Sequence, residues 1–236
     1  MGAPEPGGAG SGLCLACGAG AAALGGFGGA LPLLSFALCG FAAWVNVREL
    51  LLPPLLRARQ RQVAMLPMLW RSWMLQKRRT GGYLVHLAVV MIVVGITASQ
   101  AYRISSEASL GPGESLQLGP YSLTFVYAKL ERGTQRESLL AQIRVEREGK
   151  PLGYMQPRLN YYPSMREPVG TPHVVTLGSS DLYLSLLSVQ RDMKRVGIKA
   201  FSIPMVPYIW RSLPLLVLGS MISLWPRRRA LPPQEG

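Results

Sequence analysis

Residues 77–103 read KRRTGGYLVHLAVVMIVVGITASQAYR, and this stretch decides the class of the protein. Its central part, from Tyr83 to Ala101, has 19 residues without a charge. As an α-helix it would extend about 28 Å, close to the hydrocarbon thickness of a bilayer. Three basic residues precede it and Arg103 follows it. The stretch therefore predicts a transmembrane helix over residues 81–102.

The whole chain is poor in charge for its length. Of its 236 residues, 49% are hydrophobic and 16% are charged, whereas about 25% of the residues in soluble domains are charged. No charged residue occurs between Glu5 and Arg48. This composition excludes a purely soluble globular protein, and the hydrophobicity excludes an intrinsically disordered one.

Two further stretches have the composition of membrane spans. Residues 207–226 carry aromatic side chains at both ends, as interfacial anchoring predicts. Residues 31–49 form an apolar run that ends in a charged pair. The Gly/Ala-rich segment 1–30 is either a fourth, weak span or a flexible leader, and it lacks the basic start of a cleaved signal peptide. We therefore expect three or four transmembrane α-helices.

The distribution of charge predicts the orientation. Residues 48–79 contain eight basic side chains and one acidic one, and the tail 227–236 adds three arginines. The positive-inside rule then places the basic loop 50–80 and the tail in the cytoplasm, and residues 103–206 on the exported side. The net charge of +13 is thus explained by topology, and we expect no nucleic-acid partner.

Residues 103–206 have the pattern of β-structure. Leu123, Phe125 and Tyr127 alternate with smaller or polar neighbours, and Ala141, Ile143 and Val145 do the same. Gly/Pro-rich turns separate these runs at hairpin spacing. We therefore predict a small antiparallel β sandwich or barrel, connected to a membrane helix at each end.

His86 is the main candidate for a functional residue, because it lies about one turn inside the span 81–102. An ionisable group in hydrocarbon is costly and is a functional hypothesis by default. Imidazole nitrogen is a common axial ligand of haem. A neutral histidine that bonds a neighbouring helix or interfacial water fits the same pattern. The chain has two histidines, so a haem with two histidine ligands in the membrane needs its second one from another chain or from His86 of a second copy.

The remaining candidates carry less information. His173, in the exported portion, fits a structural role. Cys14 and Cys17 have the CxxC spacing of redox or metal pairs, but no haem-attachment histidine and no second pair accompany them. Cys39 lies within a span and is expected to pack there. Arg103 and Arg211, near helix ends, fit either snorkelling anchors or partners of haem propionates.

At this point the sequence resembles a known family. The run KRRTGGYLVHLAVV, residues 77–90, is similar to the basic-then-GGYxxHxG stretch of CcmF, the haem lyase of system I cytochrome c maturation. Ordered similarities continue to the closing LWPRR at 224–228, and the chain resembles only the final third of the family. Ala88 stands where the family usually has glycine. The intervening similarities are at 111–115, 121–124, 147–151, 161–163, 180–183 and 208–210.

The resemblance implies a C-terminal subunit or fragment of a haem lyase complex in the bacterial inner membrane. It implies that His86 is an axial ligand of a b-type haem, bound through the iron and shared with an N-terminal CcmF-like chain. The periplasmic β domain would lie where a haem chaperone and apocytochrome c meet. The chain is not expected to be catalytic alone. Two alternatives remain: a cofactor-free, membrane-anchored β docking module, and a homodimeric haem carrier.

Overall fold

The computed structural model describes residues 29–133 and 136–226, which fall into two compact units. The described part of the helical unit runs to Thr97 and resumes at Tyr208, and the β unit spans Ala98–Pro207. The described helices are α1 (Ala30–Gln60), α2 (Met65–Leu75), α3 (Lys77–Ala101) and α4 (Val206–Leu224).

Three of these helices, α1, α3 and α4, are long and apolar enough to cross a membrane. Together with the antiparallel β unit they confirm the predicted fold class. The segment that we considered as a fourth, weak span lies outside the described residues, as do Cys14 and Cys17.

The segment 50–80, for which the sequence predicts a loop, is largely helical. Helix α1 continues past Arg48 to Gln60 although Pro53 and Pro54 lie inside it. Pro54 has no N–H, so the carbonyl of Leu50, one helical turn earlier, loses its helical donor. The indole Nε1 of Trp73 donates to that oxygen at 3.1 Å. A side chain of α2 thus replaces the missing backbone bond and lets α1 continue.

Polar side chains join the helices within this unit. The Arg57 guanidinium donates to the hydroxyl of Ser72 at 3.0 Å and links α1 to α2. The hydroxyls of Ser35 and Thr97 lie 2.8 Å apart and link α1 to α3. Such bonds between apolar helices stabilise them where water is absent.

The β unit contains ten described strands in two antiparallel sheets. The smaller sheet has the order β1-β10-β9-β8, and the larger has the order β2-β3-β4-β6-β7 with β5 paired to β4. In chain order the strands are β1 Ile104–Leu110, β2 Ser115–Leu118, β3 Tyr121–Arg132, β4 Glu137–Arg147, β5 Lys150–Met155, β6 Arg158–Tyr161, β7 Val169–Thr171, β8 His173–Leu177, β9 Ser180–Val189 and β10 Val196–Pro204.

The core of this unit lies between the two sheets, which makes it a sandwich. The larger sheet contributes Leu123, Phe125 and Ile143, and the smaller sheet contributes Leu184 and Ile198, all fully buried. Alternate residues of each strand face inward because side chains alternate along a strand.

One residue that the alternation predicts to face the core is exposed instead. Tyr127 continues the spacing of Leu123 and Phe125, yet its side chain is 45% exposed. The pairing of β3 with β4 shifts between Phe125 and Tyr127. This bulge inserts one residue, so the alternation reverses and Ala128 faces inward instead.

Candidate functional site

The position of α3 in the helical unit is set by a close approach to α4. A Cβ atom on Gly81 would lie 2.5 Å from the carbonyl oxygen of Gly219 and 2.5 Å from the backbone nitrogen of Ser223. A Cβ atom on Gly219 would lie 2.9 Å from the carbonyl oxygen of Gly81. Small residues are what allow two membrane helices to bring their backbones together.

The contact with α4 fixes which face of α3 is covered. Gly81, Ala88 and Gly95 are buried and recur every seven residues, which places them on one face. Ala88 is fully buried on this face. A side chain larger than a methyl group would therefore not fit there without displacing a neighbour.

The other face of α3 is open and carries His86. Exposed residues recur from His86 through Val89 and Val93 to Ile96, at steps of three and four. The three aliphatic side chains are 44%, 37% and 49% exposed, respectively. In the described part of the chain, no group forms a hydrogen bond or ion pair with the His86 imidazole. The ring is therefore available to a ligand or to another chain.

The turn of α3 before His86 is anchored to α1 by charged and polar groups. The Arg79 guanidinium contacts the carboxylate of Glu49 at 2.8 Å and donates to the hydroxyl of Tyr83, also at 2.8 Å. Tyr83 lies three residues before His86. This chain of contacts and the Gly81–Gly219 crossing fix both the height and the rotation of the helix that presents the imidazole.

The structure gives His173 a different environment. Its Nδ1 atom accepts a hydrogen bond from the backbone N–H of Gln156 at 2.9 Å, and its strand, β8, pairs with β9. A ring nitrogen that accepts such a bond has its lone pair engaged. This contact favours the structural role that the sequence suggests.

The other candidates that the structure describes have local environments of their own. Cys39 is buried in α1. The Arg103 guanidinium lies 4.1 Å from the ring centre of Phe201, and that of Arg211 lies 5.2 Å from the ring centre of Tyr208. Within the described residues there is no group of three or more potential metal ligands.

The sequence did not reveal the Gly81–Gly219 contact. Gly219 lies in an apolar span, and a single glycine there is compatible with any rotation of the helix. The signal that existed was the seven-residue spacing of small residues at 81, 88 and 95. That spacing marks a face on which another helix can approach closely.

Comparison with known proteins finds relatives for the β unit and for the chain as a whole. A sequence profile described as the CcmF C-terminal beta-sandwich matches residues 101–202. The cytochrome c-type biogenesis protein CcmF of Pseudomonas aeruginosa is 29% identical over 152 residues, which are 63% of this chain and 22% of that protein. CcmF of Haemophilus influenzae is 26% identical over 154 residues, which are 65% of this chain and 24% of that protein.

The fold also matches a solved structure, described as cytochrome c heme lyase CcmF. The TM-score is 0.68 at 22% identity, and the match covers 96% of this chain and 36% of the other. This chain spans about a quarter of the length of the curated relatives that it matches. The resemblance found in the sequence is therefore confirmed, for a part of the length of those relatives.

Proposed function

We propose that this chain, a CcmF-like protein of cytochrome c biogenesis, is the C-terminal part of a haem lyase complex and supplies His86 as one axial ligand of a membrane b-type haem. The outward-facing imidazole of His86 carries the proposal. A histidine on an open helix face is costly in lipid unless a protein or cofactor covers it.

The residues around His86 fit a haem. Iron needs a ring nitrogen with an available lone pair, and the imidazole makes no hydrogen bond within the described residues. A porphyrin needs apolar side chains beside its plane, and Val89 and Val93 lie on the same open face. Both requirements are met by side chains of α3.

A second axial ligand has to come from elsewhere. The Nδ1 atom of His173 is already engaged by the N–H of Gln156. In the proposal, an N-terminal CcmF-like chain supplies the second histidine. The haem is then shared between the two polypeptides.

Each part of this chain has a separate task in the proposal. The haem, when bound, supplies electron transfer. The Gly81–Gly219 contact and the Glu49–Arg79–Tyr83 chain hold α3 against α4 and α1, and so fix the position from which α3 presents the imidazole. The β unit provides a rigid exported surface near which a haem chaperone and apocytochrome c are brought together.

Charge supports the orientation on which that last role depends. The many basic residues of 48–79 contrast with the mixed charges of 103–206. A cysteine placed at Ser179, in the turn between β8 and β9, should react with a membrane-impermeant thiol reagent in intact spheroplasts, after the natural cysteines are replaced. Labelling that occurs only after lysis would show that the β unit lies on the cytoplasmic side, opposite to the proposed orientation.

The haem assignment is tested by spectroscopy of the assembled complex. The chain is co-expressed with a candidate N-terminal partner, and reduced-minus-oxidised spectra are recorded for the wild type, His86→Ala and His173→Ala. We expect His86→Ala to lose most of the b-type α band and His173→Ala to keep it. Imidazole added to a His86→Gly complex should restore part of the band.

The same experiment separates the alternatives. An undiminished α band in His86→Ala would remove His86 from the haem site. A colourless wild-type complex would favour the cofactor-free docking module. Colour in the chain expressed without any partner would favour the homodimeric carrier, with His86 contributed by both copies.

A further inference from the structure

An apolar groove lies where α2 joins α3 and where α4 ends. It has a volume of about 220 Å³ and is lined by Met74, Lys77, Ile222 and Trp225. Three of these side chains are apolar, and one carries a positive charge. This groove is separate from the open face that presents His86.

The Lys77 ammonium has no acidic partner among the residues that the structure describes. It lies 5.0 Å from the ring centre of Trp225, at the side of the groove. The carboxylate of Glu49, the one acid of residues 48–79, is already bound by Arg79. The groove therefore has an uncompensated cation at its side, and its charge suits an anionic ligand.

Helix α2 indicates that the groove lies at the level of lipid headgroups. Its exposed side chains include Leu66 and Trp70, which lie one turn apart on the same face and are 79% and 63% exposed. A short helix with a broad apolar face and a tryptophan is typical of the membrane interface. Trp225, at the end of α4, is also 56% exposed.

We propose that this groove binds one anionic phospholipid. The phosphate pairs with the Lys77 ammonium, and an acyl chain packs against Met74, Ile222 and the ring of Trp225. Basic pockets between membrane helices bind anionic headgroups in this way. Lipid in this groove connects α2, α3 and α4, and the site is independent of the proposed haem site.

The test measures which lipid the protein retains. The full chain is reconstituted into nanodiscs of equal parts phosphatidylglycerol and phosphatidylethanolamine, and the retained lipid is identified by native mass spectrometry. We expect the wild type to retain phosphatidylglycerol preferentially. Lys77→Gln should lower that retention about fivefold, the factor that corresponds to about 1 kcal/mol for one lysine near an anionic surface.

Two further variants complete the experiment. Arg61→Gln removes an exposed basic residue that does not line the groove, and it should leave the preference unchanged. Trp225→Ala should reduce retention of the lipid with Lys77 intact. Equal retention of the two lipids by the wild type, or equal effects of Lys77→Gln and Arg61→Gln, would overturn the proposal.

Discussion

Gly81 and Gly219 meet backbone to backbone: a methyl group on Gly81 would stand 2.5 Å from the Gly219 carbonyl oxygen. Neither partner is a flexible side chain that can move aside. Because His86 lies five residues after Gly81, this contact determines where the imidazole points.

The close contact between Gly81 and Gly219 predicts that alanine substitutions at the adjacent residues Gly81 and Gly82 have different effects on stability. Gly81→Ala should lower the stability of the helical unit by about 1–3 kcal/mol, because the new methyl group clashes with backbone. Gly82→Ala is the matched control, since a Cβ there meets nothing within 4 Å. It should be neutral or stabilising, as alanine favours a helix over glycine. Thermal unfolding in detergent measures both, and equal Tm losses would contradict the crossing.

The indole of Trp73 predicts a coupled pair of substitutions. Trp73→Phe should cost about 1–3 kcal/mol, because the Leu50 carbonyl is left without a donor. In a Pro54→Ala background the cost should shrink, because the substituted alanine restores the backbone N–H one turn after Leu50. Trp70→Phe, at an exposed ring, should have little effect. If Trp73→Phe costs the same in both backgrounds, the Trp73 indole does not replace the backbone hydrogen bond that Pro54 cannot make.

Glu114 predicts a local stability effect in the β unit. Its carboxylate accepts the N–H of Gly111 at 2.7 Å and contacts the Arg195 guanidinium at 3.1 Å. It thereby joins the β1–β2 turn to the β9–β10 hairpin. Glu114→Ala should cost about 1–2 kcal/mol. Glu107→Ala, which loses only an exposed pair with Lys199, should cost less than about 1 kcal/mol. Denaturant unfolding followed by a β-sheet signal compares them.

The contacts of the Glu131 carboxyl predict that the stability of the β unit depends on pH. The hydrogen bond from Lys129, at 2.6 Å, lowers the pKa of the Glu131 carboxyl, and the nearby Arg158 charge acts in the same direction. A carboxyl whose pKa is lower in the folded than in the unfolded state stabilises the fold above its ordinary pKa of 4.5. That contribution is lost as the pH falls from there through the lowered value. Glu131→Gln should flatten this part of the pH–stability curve, as measured by denaturant unfolding at a series of pH values.

The sequence was most informative where one property controls the structure. The absence of charge from Tyr83 to Ala101 was sufficient to locate a span, because lipid excludes charge over that whole length. Alternation located the buried positions of β4, since Ala141, Ile143 and Val145 are all in the core.

It was less informative where the structure depends on a distant residue. The continuation of α1 beyond Pro54 depends on Trp73, and no local pattern shows that an indole reaches Leu50. The bulge at Phe125–Tyr127 depends on pairing with β4. For the site, the sequence identified His86 as the residue of interest. The rotation of α3 about its axis could not be predicted, because it depends on the contact with Gly219, more than a hundred residues away.

The open face of α3 has a consequence for the cell. If the proposed partner chain and haem cover the imidazole and the aliphatic side chains beside it, this chain is an unassembled subunit until they bind. Chains that lack the proposed partner and haem would then be exposed to membrane proteases, and the abundance of the protein would follow the supply of both. Stoichiometry would then be maintained by degradation of the excess, without any need for matched synthesis.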